Sequence, residues 1–221
     1  PEQIACSSPL KALFPPYVNQ LGLKDEAGEA LVLNAAGEGP FKEFVKKHLV
    51  ASADREYARR EMESTCADVM VAGSRIDEQD YLTVRGGHVI DLDWDAYVAK
   101  ITRMKATPAF DALDLRSPEN EEFGDEFVDG RHFSAFSMQH SLIPDAEMAT
   151  PERIALMNPL TGILNGHPGV APHWRIRHGA FDRDTANAIP VILATVLQNR
   201  GFDVDFSLPW GIPHAGDYDL D

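Results

Sequence analysis

The 221-residue chain carries 20 basic against 35 acidic residues, a formal charge of −15, which argues against a nucleic-acid or anionic-membrane partner because either would need a basic face. Its composition, 44% hydrophobic and 9% aromatic, is that of a globular protein with room for one domain or two smaller ones. No apolar run reaches the length that crosses a bilayer, and no internal repeat or low-complexity segment occurs.

In chain order, apolar residues at helical spacing predict helices over 41–62 and 94–104. Gly28, Gly37-Glu38-Gly39-Pro40 and Arg85-Gly86-Gly87-His88 read as the breaks between helical segments. Strand alternations are few before residue 160, so 1–159 reads as a mainly helical unit. The basic and aromatic mixture over 42–60 reads as the solvated face of an amphipathic helix. Acidic residues are dispersed over a soluble surface and are densest over 119–126. Lys105 and Glu119, taken by themselves, read as a solvated surface pair.

After Asn158-Pro159 the pattern changes. Trp174 to His178 alternates large apolar and basic residues, as a strand does, and Gly179 breaks the run. Asp182 therefore falls in a turn just past a strand end, where sites in parallel sheets are built. Asp184 or Thr185 is expected to cap the helix that follows, which carries Ile189, Ile192, Leu193, Val196 and Leu197 and stops at Gly201. Pro190 implies a kink or a later start. Val204-Asp205-Phe206-Ser207-Leu208 reads as a second strand, Pro209-Trp210-Gly211-Ile212-Pro213 ends it, and His214 follows on a loop.

The order is strand, acid, helix, strand, histidine. Asp182 and His214 are 32 positions apart, enough for one crossover helix and one strand. An acid that precedes the histidine on the last two strand loops is the ending of an α/β-hydrolase. The expected fold class is therefore α/β, with the C-terminal part of an α/β-hydrolase core sheet over 160–221 and a mainly helical lid domain over 1–159.

His132, His140, His167, His173 and His178 invite a metal-site reading, but no pair has the spacing that places two ligands on one helix face. No metal and no cofactor are expected, with a zinc hydrolase as the minor alternative. His178, inside the first strand, reads as a packed or backbone-bonded core histidine. Cys6 and Cys66 are compatible with a disulfide or with two free thiols.

Several segments resemble bacterial tannases and tannase-like serine esterases. Pro172-His173-Trp174-Arg175-Ile176-Arg177-His178-Gly179, Phe181-Asp182-Arg183-Asp184-Thr185, Pro209-Trp210-Gly211-Ile212-Pro213-His214 and Gly216-Asp217-Tyr218-Asp219-Leu220 are similar to the C-terminal portion of that family. Upstream, the run from Thr102 to Asp114 with Lys105 at its centre, Ser117-Pro118-Glu119-Asn120, Arg131-His132-Phe133 and Met157-Asn158-Pro159 resemble its lid insertion. The resemblance implies hydrolysis of galloyl esters, with Asp182 as triad acid, His214 as triad base, and Lys105, Glu119 and Asp184 as the gallate-binding set. An ammonium and two carboxylates offer the donors and acceptors that three adjacent phenolic hydroxyls require.

The nucleophile that such a mechanism requires is not in the sequence. No Gly-x-Ser-x-Gly occurs: Ser7 and Ser8 lack flanking glycines, and Ala72-Gly73-Ser74-Arg75 lacks the second one. The expectation is a chain that forms the C-terminal part of a longer enzyme, with the serine and oxyanion donors on a preceding partner segment. The lack of an initiator Met and of a closing helix agrees with this, and localisation stays open. The expected substrate is a small phenolic ester. The alternatives are a feruloyl or general carboxylesterase, and a non-catalytic acidic binding module without a nucleophile.

Overall fold

In the computed structural model, which describes residues 2–66, 80–102 and 104–214, the chain opens with α1 (Glu2–Gln20) and continues into α2 (Pro40–Cys66). Only α2 is anticipated by periodicity, because α1 holds Pro9, Pro15 and Pro16, residues that mask a helical pattern. α2 starts on a proline, whose missing N–H costs nothing in a first turn. It buries Phe41, Val45, Leu49 and Ala53 at four-residue intervals along one face. Its outer face is the expected solvated one, with Lys42 to Glu38 at 2.8 Å and Arg59 to Glu56 at 2.7 Å.

A hairpin follows within the stretch expected to be mainly helical. β1 (Leu82–Arg85) and β2 (His88–Leu92) pair antiparallel, and Gly86 and Gly87 form the turn with φ of 59° and 79°. Two successive positive φ angles are what a two-residue hairpin loop demands. Four and five residues of strand give too little alternation to register in the sequence, so only the glycines are seen, as a break. The hairpin packs on α2, where Val89 N–H donates to Asp54 at 2.9 Å and Lys46 pairs with Asp91 at 2.7 Å. α3 (Trp94–Ile101) is capped by Asp93, whose carboxylate accepts from the Ala96 amide. It stops short of the expected 104 because Thr102 turns to φ 46°.

Four short helices come next: α4 (Pro118–Glu122), α5 (Ala135–Gln139), α6 (Pro151–Met157) and α7 (Pro159–Leu164). Ser117, Ser134, Thr150 and Asn158 cap them. Helices this short need tertiary support, and α4 and α5 receive it from the buried carboxylate of Asp111. It accepts from Asn120 Nδ2 at 2.8 Å, from the Phe133 and Ser134 amides at 3.0 and 2.8 Å, and faces His132 Nδ1 at 2.6 Å. Burial pushes its carboxyl up, but His132, Ser134 and Asn120 together hold it below the usual range. His132, wholly enclosed, is thus an internal pin.

The predicted crossover is present. β3 (His173–Arg177), α8 (Ala188–Asn199) and β4 (Asp203–Ser207) place two strands in parallel register, from His173 opposite Asp203 to Arg177 opposite Ser207. α8 buries Val191, Ile192, Ala194, Val196 and Leu197. Val191, Ile192, Val196 and Leu197 join Val18, Leu31, Phe41, Leu49, Leu92, Ile163 and Trp210 in one core, which draws on residues from both sides of the 159/160 boundary. Leu49 and Leu197 are fully enclosed there, positions where truncation to alanine costs about 2–5 kcal/mol. The architecture is a mixed α/β fold. The segments 72–75 and 216–220 and the side chain of Cys66 lie outside the described residues.

Candidate active site

β3 and β4 end side by side, and the loops that leave them are bonded to each other. His178 N–H donates to Ser207 O at 3.3 Å, Ala180 N–H to Pro209 O at 2.9 Å and Phe181 N–H to Ile212 O at 2.9 Å. The approach is close at Gly179, where a Cβ would lie 2.2 Å from Ile212 O and 2.5 Å from Pro213 O. Backbone on both sides leaves nothing that can swing away, so only glycine fits. Below the loops Trp210 stacks on Tyr97 at 6.0 Å and meets Phe181 edge-on at 5.1 Å. The Tyr97 hydroxyl donates to Ala180 O and accepts from Asn187 Nδ2 at 2.8 Å. Gly179→Ala is expected to cost about 1–3 kcal/mol in denaturant unfolding by forcing the loops apart. An unchanged midpoint would mean that the second loop yields freely.

This zipper brings Asp182 and His214 together. His214 Nδ1–H donates to Asp182 Oδ2 at 2.9 Å. The other carboxylate oxygen accepts from the Asp184 and Thr185 amides at 2.7 and 2.9 Å. Burial pushes the Asp182 carboxyl up, but the Thr185 amide, His214 and the Asp184 amide together bring it below the usual range. The hydrogen bond and charge of Asp182 raise His214 above its ordinary value, with Asp184 adding to the rise and Lys105 opposing it. The acid side chain is 4% exposed and the histidine 65%, so one is fixed and the other faces solvent.

The segment after α3 approaches the same loops by a defined route. Met104 N–H donates to Arg183 O at 3.0 Å, and the Arg183 guanidinium returns to Thr102 O at 2.9 Å and to Thr102 Oγ1 at 3.2 Å. Lys105, next along, pairs with Glu119 at 2.5 Å and lies 4.5 Å from the Phe110 ring centre. Glu119 Oε2 is enclosed and accepts no hydrogen bond of good geometry. Burial raises the Glu119 carboxyl, but Lys105, the Glu119 amide and Ser117 together bring it below the usual range.

Asp182, Asp184 and His214 have ligand atoms within 4.8 Å of one another, a spacing that suits a cation as well. Both Asp182 oxygens already accept hydrogen bonds, however, and His214 Nδ1 faces one of them. The arrangement is that of a hydrogen-bonded acid and histidine. A cavity of about 550 Å³ lined by Leu21, Ile163, Val196, Arg200 and Phe202 contains none of these side chains.

Known structures share this chain's fold from end to end. A tannin acyl hydrolase solved in complex with ethyl gallate matches 99% of the chain at 46% identity with a TM-score of 0.87. The chain is tannase-like. Tannase from Lactobacillus plantarum matches at 46% identity and a TM-score of 0.89, and Fusobacterium nucleatum tannase at 38% and 0.83, each over 99% of this chain. The tannase-like chain spans 45%, 44% and 44% of these three structures, less than half of each. No family model and no curated protein matches it.

Within the tannase-like chain, two expectations about local structure change. Asp184 and Thr185 do not cap α8: the helix begins at Ala188 after Asn187, which makes no side-chain cap bond, and Pro190 sits in the first turn. The Asp184 and Thr185 amides are instead taken by Asp182. His178 lies one residue past β3, with Nε2 3.2 Å from Asp182 Oδ2. Sequence reasoning gave it no part in the site, and its spacing of four from Asp182 across Gly179 is the signal that was available. The parts of Tyr97 and Asn187, and the close packing at Gly179, carry no signal in the sequence, since their contacts join distant segments.

Proposed function

We propose that this chain supplies the acid, the histidine and the ring-binding side chains of a serine-type galloyl ester hydrolase, whose nucleophile lies on a segment outside residues 1–221. The observation that carries the proposal is the 2.9 Å bond from an exposed His214 to a buried, braced Asp182. Likeness to a tannin acyl hydrolase in complex with ethyl gallate supports it.

In this reading Asp182 holds the imidazole with its proton on Nδ1, leaving Nε2 as the base. His214 takes the proton of the serine hydroxyl as its oxygen attacks the ester carbonyl, then delivers it to the departing alcohol. Water repeats the sequence on the acyl-enzyme. Lys105, Glu119 and Asp184 hold the phenolic hydroxyls, and the unfilled acceptor on Glu119 suits a phenolic donor. β3 and β4 form the end of an α/β-hydrolase sheet, with the insertion over the site as a lid. A two-stranded parallel sheet is marginal alone, so the missing strands are supplied by the segment that carries the serine.

Active-site labelling of the whole protein tests this directly. A fluorophosphonate is expected to modify one serine, mapped by peptide mass spectrometry to a sequence outside residues 1–221. Label on a serine of this chain, including Ser141, whose Oγ lies 2.9 Å from His132 Nε2, would contradict the proposal.

A further inference from the structure

Two imidazoles, not one, approach Oδ2 of Asp182. His214 Nδ1 lies 2.9 Å from it and His178 Nε2 lies 3.2 Å from it. They differ in environment, since the His178 side chain is 12% exposed and that of His214 is 65% exposed. Both ring nitrogens of His178 are enclosed, and neither makes a hydrogen bond of good geometry in the structure. Neither does the enclosed Oδ1 of Asn187, the residue whose Nδ2 donates to Tyr97.

A buried N–H without an acceptor costs about 1–3 kcal/mol. An ionised carboxylate is the strongest acceptor within reach of His178, and bonds to it are about twice as strong as neutral ones. Building on the esterase reading of this site, we propose that His178 is a positioning residue for the acid and histidine: its neutral imidazole donates Nε2–H to Oδ2 of Asp182. The carboxylate is then gripped on one oxygen by the Asp184 and Thr185 amides and on the other by two imidazoles.

Dividing the charge of Oδ2 has a chemical consequence. A base held too strongly by its acid stays protonated near neutral pH and cannot accept the serine proton. His178 takes part of the carboxylate's hydrogen-bonding capacity and so tempers the basicity of His214. It does this as a neutral group, because burial lowers its own proton affinity more than Asp182 raises it, with Asn187 adding a rise and His214 a fall. The other charged groups that act on His214 are Asp184 and Lys105, and the His178 substitutions leave both in place.

The test is a histidine ¹⁵N NMR titration of the whole protein, run on the wild type, His178→Phe and His178→Gln. In the wild type, His178 is expected to be neutral with its proton on Nε2 between about pH 6 and 8. In His178→Phe the His214 midpoint is expected to rise by about 0.5–1 pH unit as Asp182 turns wholly to His214. The acid limb of kcat/KM for methyl gallate is expected to move with it, with KM little changed. His178→Gln, whose amide donates from the same position, is expected to restore both. A purely structural role would lower kcat through the folded fraction and leave both midpoints alone. An unmoved His214 midpoint in His178→Phe, or an Nδ1-protonated His178 in the wild type, overturns the proposal. The NMR titration needs no turnover, whereas full activity in His214→Ala would overturn the esterase reading and leave the tautomer and midpoint to be judged by themselves.

Discussion

Replacing His214 by alanine is expected to lower methyl gallate hydrolysis by the whole protein about 10³-fold or more while leaving the folded state intact. The fold is spared because the side chain is 65% exposed and its described bond is to Asp182. The loss is large because no other group among the described residues is both exposed and hydrogen-bonded to that carboxylate. His178, the other imidazole at Asp182, is too enclosed to substitute. The pH dependence follows the same logic. His214 acts as a base only when neutral, and Asp182 raises its proton affinity. Activity should therefore be low below, and rise through, a midpoint above the ordinary histidine value of about 6.5. Steady-state kcat/KM measured across pH checks both statements. Near-normal turnover in His214→Ala would remove it from the mechanism, and a midpoint well below the ordinary value would mean that the pair is not formed in the free enzyme.

Replacing Lys105 or Glu119 by alanine is expected to reduce activity on methyl gallate by roughly 10²-fold, and to affect an unsubstituted benzoate ester much less. The two side chains are already paired at 2.5 Å, so in the proposed reading the pair is in place before a ligand arrives. Removing either leaves the other charge part-buried beside the ligand without its partner, a costly state. A benzoate offers no hydroxyl to that pair and gains little from it in the wild type. Comparing kcat/KM for the two esters across the variants separates recognition from support. Equal losses on both would mean that Lys105 and Glu119 shape the insertion, and the function would become that of a general carboxylesterase.

Parts of this arrangement can be read from the sequence, and the reasons differ from residue to residue. The β3, α8, β4 order is legible because α8 is long and apolar and each strand is closed by a breaker, Gly179 or Pro209. That order alone brings Asp182 and His214 to neighbouring loops, and their hydrogen bond follows from the register of two parallel strands. The β1–β2 hairpin was missed because its strands are short, and α1 because of its prolines. A local rule favours Asp184 or Thr185 as the cap of α8, whereas the helix starts later, at Ala188, and Asp182 takes the Asp184 and Thr185 amides.

Lys105 and Glu119 are a different case. Nothing in their immediate sequence separates them from a solvated pair, since what brings Lys105 toward the site is the bonding of Thr102 and Met104 to Arg183, residues distant in the chain. Only the family resemblance raised them as candidates. The contact of His178 with Asp182 was open to inference from spacing, but a histidine beside a strand end is ordinarily a packed one.

A crystal structure of the whole protein with bound gallate tests the central claim most directly. The account predicts phenolic oxygens within about 3.2 Å of Lys105 Nζ and of the Glu119 and Asp184 carboxylates, with the gallate carboxyl group beside Nε2 of His214. A ring bound away from these side chains, or bound here with its hydroxyls turned to solvent, would contradict it.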